Sequence, residues 1–479
     1  MIIAKKIAYN TAVSAAARII GVILSLVSIG LIARYLGQEG FGNYSLILAF
    51  LYTFNILADL GLYTLMTREI SRPDVDENKI ASNIFTLRIF VLIIVLGVAV
   101  LAIWLFPYNS QVKIGVMIGA IAYFFISASQ VLMGVFQKYL RMDKPAIAEV
   151  VGRLIQLGLV VFFIYIKASL FIILLALVAS SFVIFILNLI FVRKYISICL
   201  SFDFSLWKKI FRNTIPIGIS IVLTLIYFKI DSIFLSLGFI NRSSLNPMAD
   251  VGVYNVAYKV LEGLVFFPAM FTGLIMPLLS KFAFTDRDKF KRIFQKSLDV
   301  LIIFAIPVVV GLVLLAKPIV LLIGGEGFGE SAPALQLLAI AIGVIFLANL
   351  FSRSIIALNK QKKAAWIYFI GMIFNVIANL IFIPKYSYMG AAATTLATEA
   401  LVTLGLFVLN AKVSNFAGSF RVVFKCLLAG LIMGLVVYYF KSLGLFIIIP
   451  LGIIVYGGIL YLIKGITREE IRLLIKKEI

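Results

Sequence analysis

The sequence contains no histidine, only two cysteines and few charged residues. Without histidine, the chain has no imidazole ligand for a metal and no Ser/His or Cys/His pair for nucleophilic catalysis. Cys199 and Cys426 lie far apart and lack the spacing of a metal site, so neither a zinc site nor a disulfide framework is predicted. Charged residues make up 13% of the chain, against about 25% in a typical soluble domain. A soluble enzyme is therefore excluded.

Long apolar runs dominate the chain instead. Hydrophobic residues make up 63% of the 479 residues, and the mean hydropathy is +1.13. A membrane-spanning helix needs about 20 mostly apolar residues, and fourteen segments meet that need. They are 9–34, 41–66, 83–106, 113–137, 146–166, 169–192, 213–237, 250–278, 296–316, 333–356, 364–384, 388–410, 421–440 and 444–463. These runs are longer than barrel strands and do not alternate, so we predict an all-α membrane protein with 14 transmembrane helices.

Basic residues outnumber acidic residues by 43 to 21, which gives a net charge of +22. Most of the Lys and Arg residues fall in every second segment between the predicted spans. Cytoplasmic loops carry such an excess, so we expect both termini on the cytoplasmic side. The bases form no continuous tract, so no nucleic acid is expected as a partner. Lys5 and Lys6 precede the first span without a cleavage site, which predicts an uncleaved first helix.

Short motifs recur in the same order in two halves of the chain. The pairs are Asn10-Thr11 with Asn213-Thr214, and Gly42-Asn43-Tyr44 with Gly252-Val253-Tyr254. Six spans per half give both halves the same orientation in the membrane. We therefore predict two pseudo-symmetric six-helix lobes around a central cavity, the architecture of an alternating-access transporter. The predicted divisions are 1–200 for the first lobe, 201–412 for the second, and 413–479 for two C-terminal helices and a cytoplasmic end.

Several ionisable residues fall inside the predicted spans, where a charge costs at least ~2.5 kcal/mol unless it faces a partner or a polar cavity. Arg18 lies near the middle of its span, and no acidic residue follows or precedes it within a helical turn or two. A guanidinium in such a place is suited to a phosphate, which it binds through two parallel hydrogen bonds. Asp59, Asp231 and Glu399 are candidates for a proton or coupling-ion site.

Other buried charges have structural explanations. Glu149 with Arg153, and Lys259 with Glu262, have the spacing of ion pairs along one helix face. Arg88 lies in the inner part of its span, where a long side chain can extend to the interface. These explanations and a role in substrate binding both stay open for these residues.

Several segments together resemble the polysaccharide-unit (Wzx-like, O-antigen-type) flippases. They are ARYLGQEGFGNY at 33–44, KIDS at 229–232, VGVYNVAYK at 251–259 and NVIAN at 375–379. The likeness extends over the first twelve predicted spans. These flippases belong to the multidrug/oligosaccharidyl-lipid/polysaccharide exporter superfamily, whose two six-helix lobes close around a central cavity.

The resemblance implies a flippase that moves a polyprenyl- or dolichyl-phosphate-linked oligosaccharide from the inner to the outer leaflet of a prokaryotic plasma membrane. It implies no enzymatic activity and no cofactor, with coupling to H⁺ or Na⁺ or to the membrane potential. The expected partners are the lipid-linked sugar, membrane lipids and polysaccharide assembly proteins. The substrate-binding candidates of the implied cationic cavity are Arg18, Arg88, Arg153, Lys229 and Lys259. No catalytic and no metal-binding residue is predicted.

Three other functions compete with this interpretation. A multidrug exporter of the same superfamily has twelve spans as a rule and uses acidic cavity residues for cations. A membrane glycosyltransferase or polymerase needs a large outer loop or domain with catalytic carboxylates or histidines. The predicted outer loops are short, and the loop 238–250 has one acidic residue, Asp250. An ion channel is disfavoured because no filter-like sequence is present. The excess of buried bases and the fourteen spans favour the flippase.

Overall fold

Helices make up the regular structure of the part of the chain that the structure describes. The computed structural model describes residues 2–59, 61–73, 75–208, 210, 212 and 227–465. The α-helices of these residues are α1 (Ile2–Asp59), α2 (Leu62–Ile70), α3 (Glu77–Ala102), α4 (Ser110–Lys138), α5 (Asp143–Tyr165), α6 (Leu170–Val192), α7 (Tyr227–Ser236), α8 (Pro247–Thr285), α9 (Arg287–Gly324), α10 (Ser331–Ala357), α11 (Gln361–Ser414), α12 (Arg421–Tyr439) and α13 (Leu445–Leu462). The all-α class is confirmed.

Eleven of these helices are long and apolar enough to cross a membrane. Two of the eleven, α1 and α11, each contain two of the predicted spans, so the eleven helices correspond to all the predicted spans except the seventh. The seventh predicted span, 213–237, lies mostly outside the described residues, and α7 is its described end. The chain is a multi-pass membrane protein. The assignment of helices to two six-helix lobes stays a prediction.

The two longest helices are interrupted where the sequence predicts a connection between spans. In α1 the break is at Gly37, with φ 68° and ψ −176°. In α11 the break is at Ser387, with φ 47° and ψ −129°. The second predicted span, 41–66, needs a correction, because α1 ends at Asp59. Gly61 follows with φ 77° before α2 begins, and a positive φ of this kind is unstrained only in glycine.

Ser387 carries a strained backbone without the freedom of glycine, and two side chains hold it in place. The Asn241 Nδ2 donates to Ser387 Oγ at 2.9 Å, and Ser387 Oγ itself donates to a carboxylate oxygen of Asp250. Asn241 also donates to Asp250, at 3.3 Å, and is fully buried. A non-glycine residue in this region of φ and ψ costs of order 1–3 kcal/mol. These hydrogen bonds offset that cost and determine where α11 bends.

The described residues form two compact units. Unit 1 comprises the chain up to Asn255 together with Ile383–Ser387, and unit 2 comprises Val256–Phe382 and the chain from Tyr388 onward. In unit 1, α4 and α5 pack on α6, and α1 packs on α4 and α5. In unit 2, α9 packs on α10 and α12, and α12 packs on α13. The predicted C-terminal pair of helices, α12 and α13, is therefore attached to α9.

Glycines allow the closest helix approach in unit 1. A Cβ on Gly42 of α1 would overlap the Met248 carbonyl oxygen, and a Cβ on Gly252 of α8 would overlap the Gln38 carbonyl oxygen. Small residues of this kind let membrane helices approach backbone to backbone. Gly42 and Gly252 are also the first residues of one of the repeated motif pairs. The repeat thus supplies both sides of the same contact.

Gly42→Ala should lower the stability of the protein by about 1–3 kcal/mol, the usual cost of adding a methyl group to a packed interior. The added methyl group meets backbone, which cannot rotate away. Gly97→Ala is the matched control, because a Cβ on Gly97 has no atom within 4 Å. Thermal unfolding in detergent compares the two variants, and equal stability of both would contradict the close contact.

The connection after α6 is fastened along α3 by side-chain hydrogen bonds. Every second backbone amide between residues 197 and 203 donates to a side-chain oxygen of α3. The pairs are Ser197 with Asn78, Cys199 with Ser82, Ser201 with Thr86 and Asp203 with Asn83, at 2.9–3.1 Å. The Lys79 ammonium adds an ion pair to the Asp203 carboxylate at 3.1 Å. Alternation by two is the period of an extended chain, and we call residues 197–203 the strap.

Asp203→Ala should loosen the strap at neutral pH. Hydrogen bonds from the Leu206 amide and from Lys79 hold the pKa of the Asp203 carboxyl below its ordinary value of 3.8. A depressed pKa means that this carboxylate stabilises the strap above pH 3.8 and that the contribution is lost as the pH falls through the lower, folded-state pKa. Hydrogen exchange of the strap amides should therefore accelerate in the variant at pH 7. Asp288→Asn, at an exposed position away from the strap, should leave it unchanged.

Candidate functional site

Four helices of unit 1 line a partly open cavity of about 260 Å³. Charged side chains enter it from α1, through Arg18, and from α5, through Glu149 and Arg153. Uncharged side chains from α4 and α6 complete its wall: Ile126, Ser129, Gln130, Met133, Leu177, Ser180, Ser181 and Ile184, with Pro145 of α5. We call this space the Arg18 cavity. Its three charged side chains belong to helices that are long and apolar enough to cross a membrane.

Arg18 reaches across the cavity to α5. Its Nη1 donates to both carboxylate oxygens of Glu149, at 3.0 Å and 3.2 Å. The two residues are 131 positions apart in the sequence. Arg18 has no acidic neighbour along its own helix, as the sequence indicated. Folding brings the Glu149 carboxylate to it from α5. The pair is open to one side, since the Arg18 side chain is 49% exposed and that of Glu149 is 21% exposed.

The predicted ion pair between Glu149 and Arg153 is wrong. Arg153 Nη1 donates instead to Gln156 Oε1 at 3.1 Å, and Glu149 is held by Arg18. The Nε of Arg153 is buried and has no hydrogen-bond partner among the described residues. A buried donor of a charged group without a partner is costly. The Arg153 residue lines the cavity, and its guanidinium is held by Gln156 rather than by a carboxylate.

Neutral polar groups of the cavity were not singled out from the sequence. Ser129 accepts a hydrogen bond from Asn188 Nδ2 at 2.7 Å, and Ser180 donates to the Gly152 carbonyl at 2.8 Å. A Cβ on Gly152 would collide with Ile184, so this glycine lets α5 and α6 touch. Serine and asparagine are common on any helix, and only tertiary contacts reveal which ones line a cavity. Nothing in the sequence indicated that these serines and this asparagine would lie at or next to the cavity.

Arg88 lies away from this cavity, in the interior of unit 1. Its side chain is 0% exposed and forms an ion pair with Asp59 at 3.3 Å. It donates to the carbonyl oxygens of Ala58 and, at 3.3 Å, of Ser127. The suggestion that Arg88 extends to the interface is therefore wrong. Its guanidinium satisfies the Ala58 carbonyl at the C-terminal end of α1, a group that a helix end leaves without an intrahelical partner.

The remaining candidate residues occupy three other places. Lys259 and Glu262 form the predicted pair along one helix, at 2.6 Å, which is confirmed. Asp231 is 2% exposed and accepts a hydrogen bond from the Tyr254 hydroxyl at 2.9 Å. Glu399, on α11 in unit 2, is 4% exposed.

Lys229 is half-buried and lies two residues before Asp231 on α7. It belongs to unit 1, whereas Lys259 belongs to unit 2. Of the five candidate bases, the structure brings Arg18 and Arg153 together in the Arg18 cavity. It places Arg88 in a separate, fully buried cluster.

Comparison with protein families identifies the chain. The model of the polysaccharide biosynthesis protein family matches residues 7–283, more than half of the sequence. The chain belongs to the polysaccharide biosynthesis protein family. This membership confirms the resemblance to polysaccharide-unit flippases that the sequence motifs indicate.

Two curated relatives of this polysaccharide biosynthesis protein are flippases of the archaeon Haloferax volcanii. The probable flippase AglR is 31% identical over 180 residues, which cover 36% of each chain. The probable low-salt glycan biosynthesis flippase Agl15 is 26% identical over 238 residues, 47% of this chain and 50% of that one. The chain thus spans half or less of the length of these two relatives.

Among solved structures, the polysaccharide biosynthesis protein is similar to the lipid II flippase MurJ in an inward closed conformation. The TM-score is 0.75 at 17% sequence identity, over 94% of this chain and 98% of that one. At this identity the likeness shows a shared fold. AglR, Agl15 and MurJ all carry the name of flippase, which is the class of transporter that the sequence predicts.

Proposed function

We propose that this protein moves a polyprenyl- or dolichyl-phosphate-linked oligosaccharide from the inner to the outer leaflet of the membrane by alternating access. The observation that carries the proposal is the Arg18 cavity, where Arg18 and Arg153 present two guanidinium groups inside the membrane-spanning helices. Membership of the polysaccharide biosynthesis protein family supports it, as do the curated flippase relatives.

The chemistry of the cavity fits the head of such a lipid. A phosphate-linked sugar cannot cross hydrocarbon unaided, because its polar and charged groups would lose their water. Guanidinium groups replace that water with charge-assisted hydrogen bonds to phosphate oxygens. The serines and Gln130 that line the cavity offer uncharged donors and acceptors suited to sugar hydroxyls. The lipid tail meanwhile stays in the bilayer.

The coupling site of the proposal is a buried carboxylate. Asp59 is paired with Arg88, Asp231 accepts a hydrogen bond from Tyr254, and Glu399 is buried in unit 2; these three carboxylates are the candidates. With no histidine in the chain, carboxylates are the side chains suited to carrying a proton or binding Na⁺. We also propose that the protein lies in the prokaryotic plasma membrane, with both termini on the cytoplasmic side. Proteins of polysaccharide assembly would supply its substrate on that side.

Asp231→Asn should weaken the response of transport to an imposed H⁺ or Na⁺ gradient. An amide carries no negative charge to bind Na⁺, and it does not take up or release a proton near neutral pH. The Tyr254 hydroxyl can still donate to the amide oxygen, so the local structure should persist. Asp288→Asn, at an exposed position, is the control. An unchanged response to collapse of the gradient would assign Asp231 a structural role.

Flipping in proteoliposomes tests the proposed function directly. The probe is a fluorescent polyprenyl diphosphate that carries one N-acetylglucosamine, and a membrane-impermeant quencher reports the leaflet in which it lies. Protein-dependent movement of the probe, without movement of a zwitterionic fluorescent phospholipid, is the expected result. Failure to move this probe and mono- or oligosaccharide variants of it, together with transport of an organic cation, would overturn the proposal in favour of a drug exporter.

A further inference from the structure

The ion pair between Arg18 and Glu149 places a carboxylate where a substrate phosphate would bind. Both oxygens of Glu149 accept hydrogen bonds from the same nitrogen of Arg18. Carboxylates and phosphates are alternative ligands of a guanidinium, with the same planar, charge-assisted geometry. A phosphate that uses Arg18 must therefore displace Glu149 from this nitrogen.

Other residues of the cavity single out Arg18 as the partner of Glu149. Arg153 lies one turn beyond Glu149 on α5, yet it donates to Gln156 and not to Glu149. Gly21 lies one turn beyond Arg18 on α1, and a Cβ there would stand 3.6 Å from Glu149 Oε1. The Glu149 carboxylate therefore lies against α1, next to the guanidinium that it binds.

Partial exposure makes this ion pair one that can open. Breaking a fully buried pair leaves an uncompensated charge behind, whereas in an exposed pair each charge can take another ligand. The side-chain exposures of 49% for Arg18 and 21% for Glu149 lie between these limits. In the Arg88–Asp59 pair of the same unit, the guanidinium by contrast is fully buried, while the Asp59 side chain is 27% exposed.

We propose that Glu149 is an internal competitor of the substrate phosphate, which gives up Arg18 when the lipid-linked sugar binds and takes it back to release that sugar. This inference rests on the proposed function. A carboxylate attached to the same protein acts at a high effective concentration, so it lowers the affinity of Arg18 for any phosphate. In return, it speeds dissociation of the product on the outer side.

Glu149 also sets the net charge of the cavity and, with it, which anionic ligands bind there. Arg18, Arg153 and Glu149 together carry one net positive charge. A single carboxylate or phosphate monoanion gains little by replacing Glu149, whereas a diphosphate can contact both guanidinium groups at once. Glu149 thus selects for ligands that use both Arg18 and Arg153.

Glu149→Gln tests the proposal in the full-length protein. With the fluorescent polyprenyl diphosphate N-acetylglucosamine as the probe, we expect at least about tenfold tighter binding than in the wild type, a difference that corresponds to about 1.4 kcal/mol. Flipping at saturating probe should be slower in the variant, because release is slower. A lower KM together with a lower maximal rate is a signature that mere loss of packing would not produce.

Glu69→Gln is the matched control. Glu69 is also a carboxylate paired with an arginine, Arg72, at 2.8 Å, but it lies outside the cavity and should leave binding and flipping unchanged. Glu149→Ala removes the same charge with less bulk, and it provides the same test if the glutamine variant does not fold.

Two unfavourable outcomes can be told apart. If the wild type binds and flips the probe, and the Glu149 variants bind it equally or more weakly, the competitor role is overturned and the proposed function stands. If the folded wild type neither binds nor flips the probe or its oligosaccharide variants, the proposed function itself fails.

Discussion

Arg18→Glu should abolish flipping of a polyprenyl-diphosphate-linked sugar while the protein still folds. The substitution removes the guanidinium of α1 and places a second carboxylate opposite Glu149, at the position where we expect the phosphate. A hydrogen bond to a charged group is worth about 1.5–3 kcal/mol, and repulsion between the new carboxylate and the phosphate adds to its loss. Since 1.4 kcal/mol corresponds to about tenfold in affinity, we expect a loss of about 100-fold or more.

The measurement is probe flipping in proteoliposomes, with insertion and thermal stability checked in the same preparation. Arg72→Glu reverses the same charge at an exposed position outside the cavity, and this variant should flip the probe at the wild-type rate. Arg18→Glu protein that is folded and flips at that rate would remove Arg18 from the substrate site. The cationic cavity would then lose its main residue.

Arg88→Leu should destabilise the protein by about 1–3 kcal/mol, the cost of leaving a buried hydrogen-bonding group without its partner. The Asp59 carboxylate would lose its counter-charge, and the carbonyl oxygens of Ala58 and Ser127 would lose their donor. Leucine fills part of the space but offers no hydrogen bond. The end of α1 is where we expect the structure to loosen first.

Thermal unfolding in detergent measures the effect. Arg72→Leu, at an exposed position, is the control and should be close to neutral. The double variant Arg88→Leu with Asp59→Asn should recover part of the loss, because it also removes the unpaired charge. If the single and the double variants are equally unstable, packing rather than charge explains the role of Arg88.

The predicted spans agree closely with the helices because hydropathy acts over whole segments. Fourteen apolar runs were enough to place the described membrane helices and the two breaks near Gly37 and Ser387. The error in the second span arose at Gly61, where a positive φ ends α1 inside an apolar run. Apolarity determines that a segment lies in the membrane, and a single backbone conformation determines where its helix stops.

Pairing between charges was predictable only along one helix. Lys259 and Glu262 are three residues apart, so helical geometry alone brings them together. The same spacing rule suggested a pair between Glu149 and Arg153. In the structure, Glu149 pairs instead with Arg18, which lies on another helix. Local spacing shows which pairs are sterically allowed, but it does not show which competitor folding will supply.

The sequence by itself determined that this protein is an all-helical membrane protein of the polysaccharide biosynthesis family, because composition, apolar run length and motif order are properties of the chain. Only the tertiary structure decided what each buried charge does. Arg18 and Arg88 are both arginines inside apolar spans, yet one faces a cavity opposite a partly exposed carboxylate and the other is sealed against a helix end. The difference arises because the partners of a buried charge come from helices that are distant in the sequence, and helix packing alone brings them within hydrogen-bond distance.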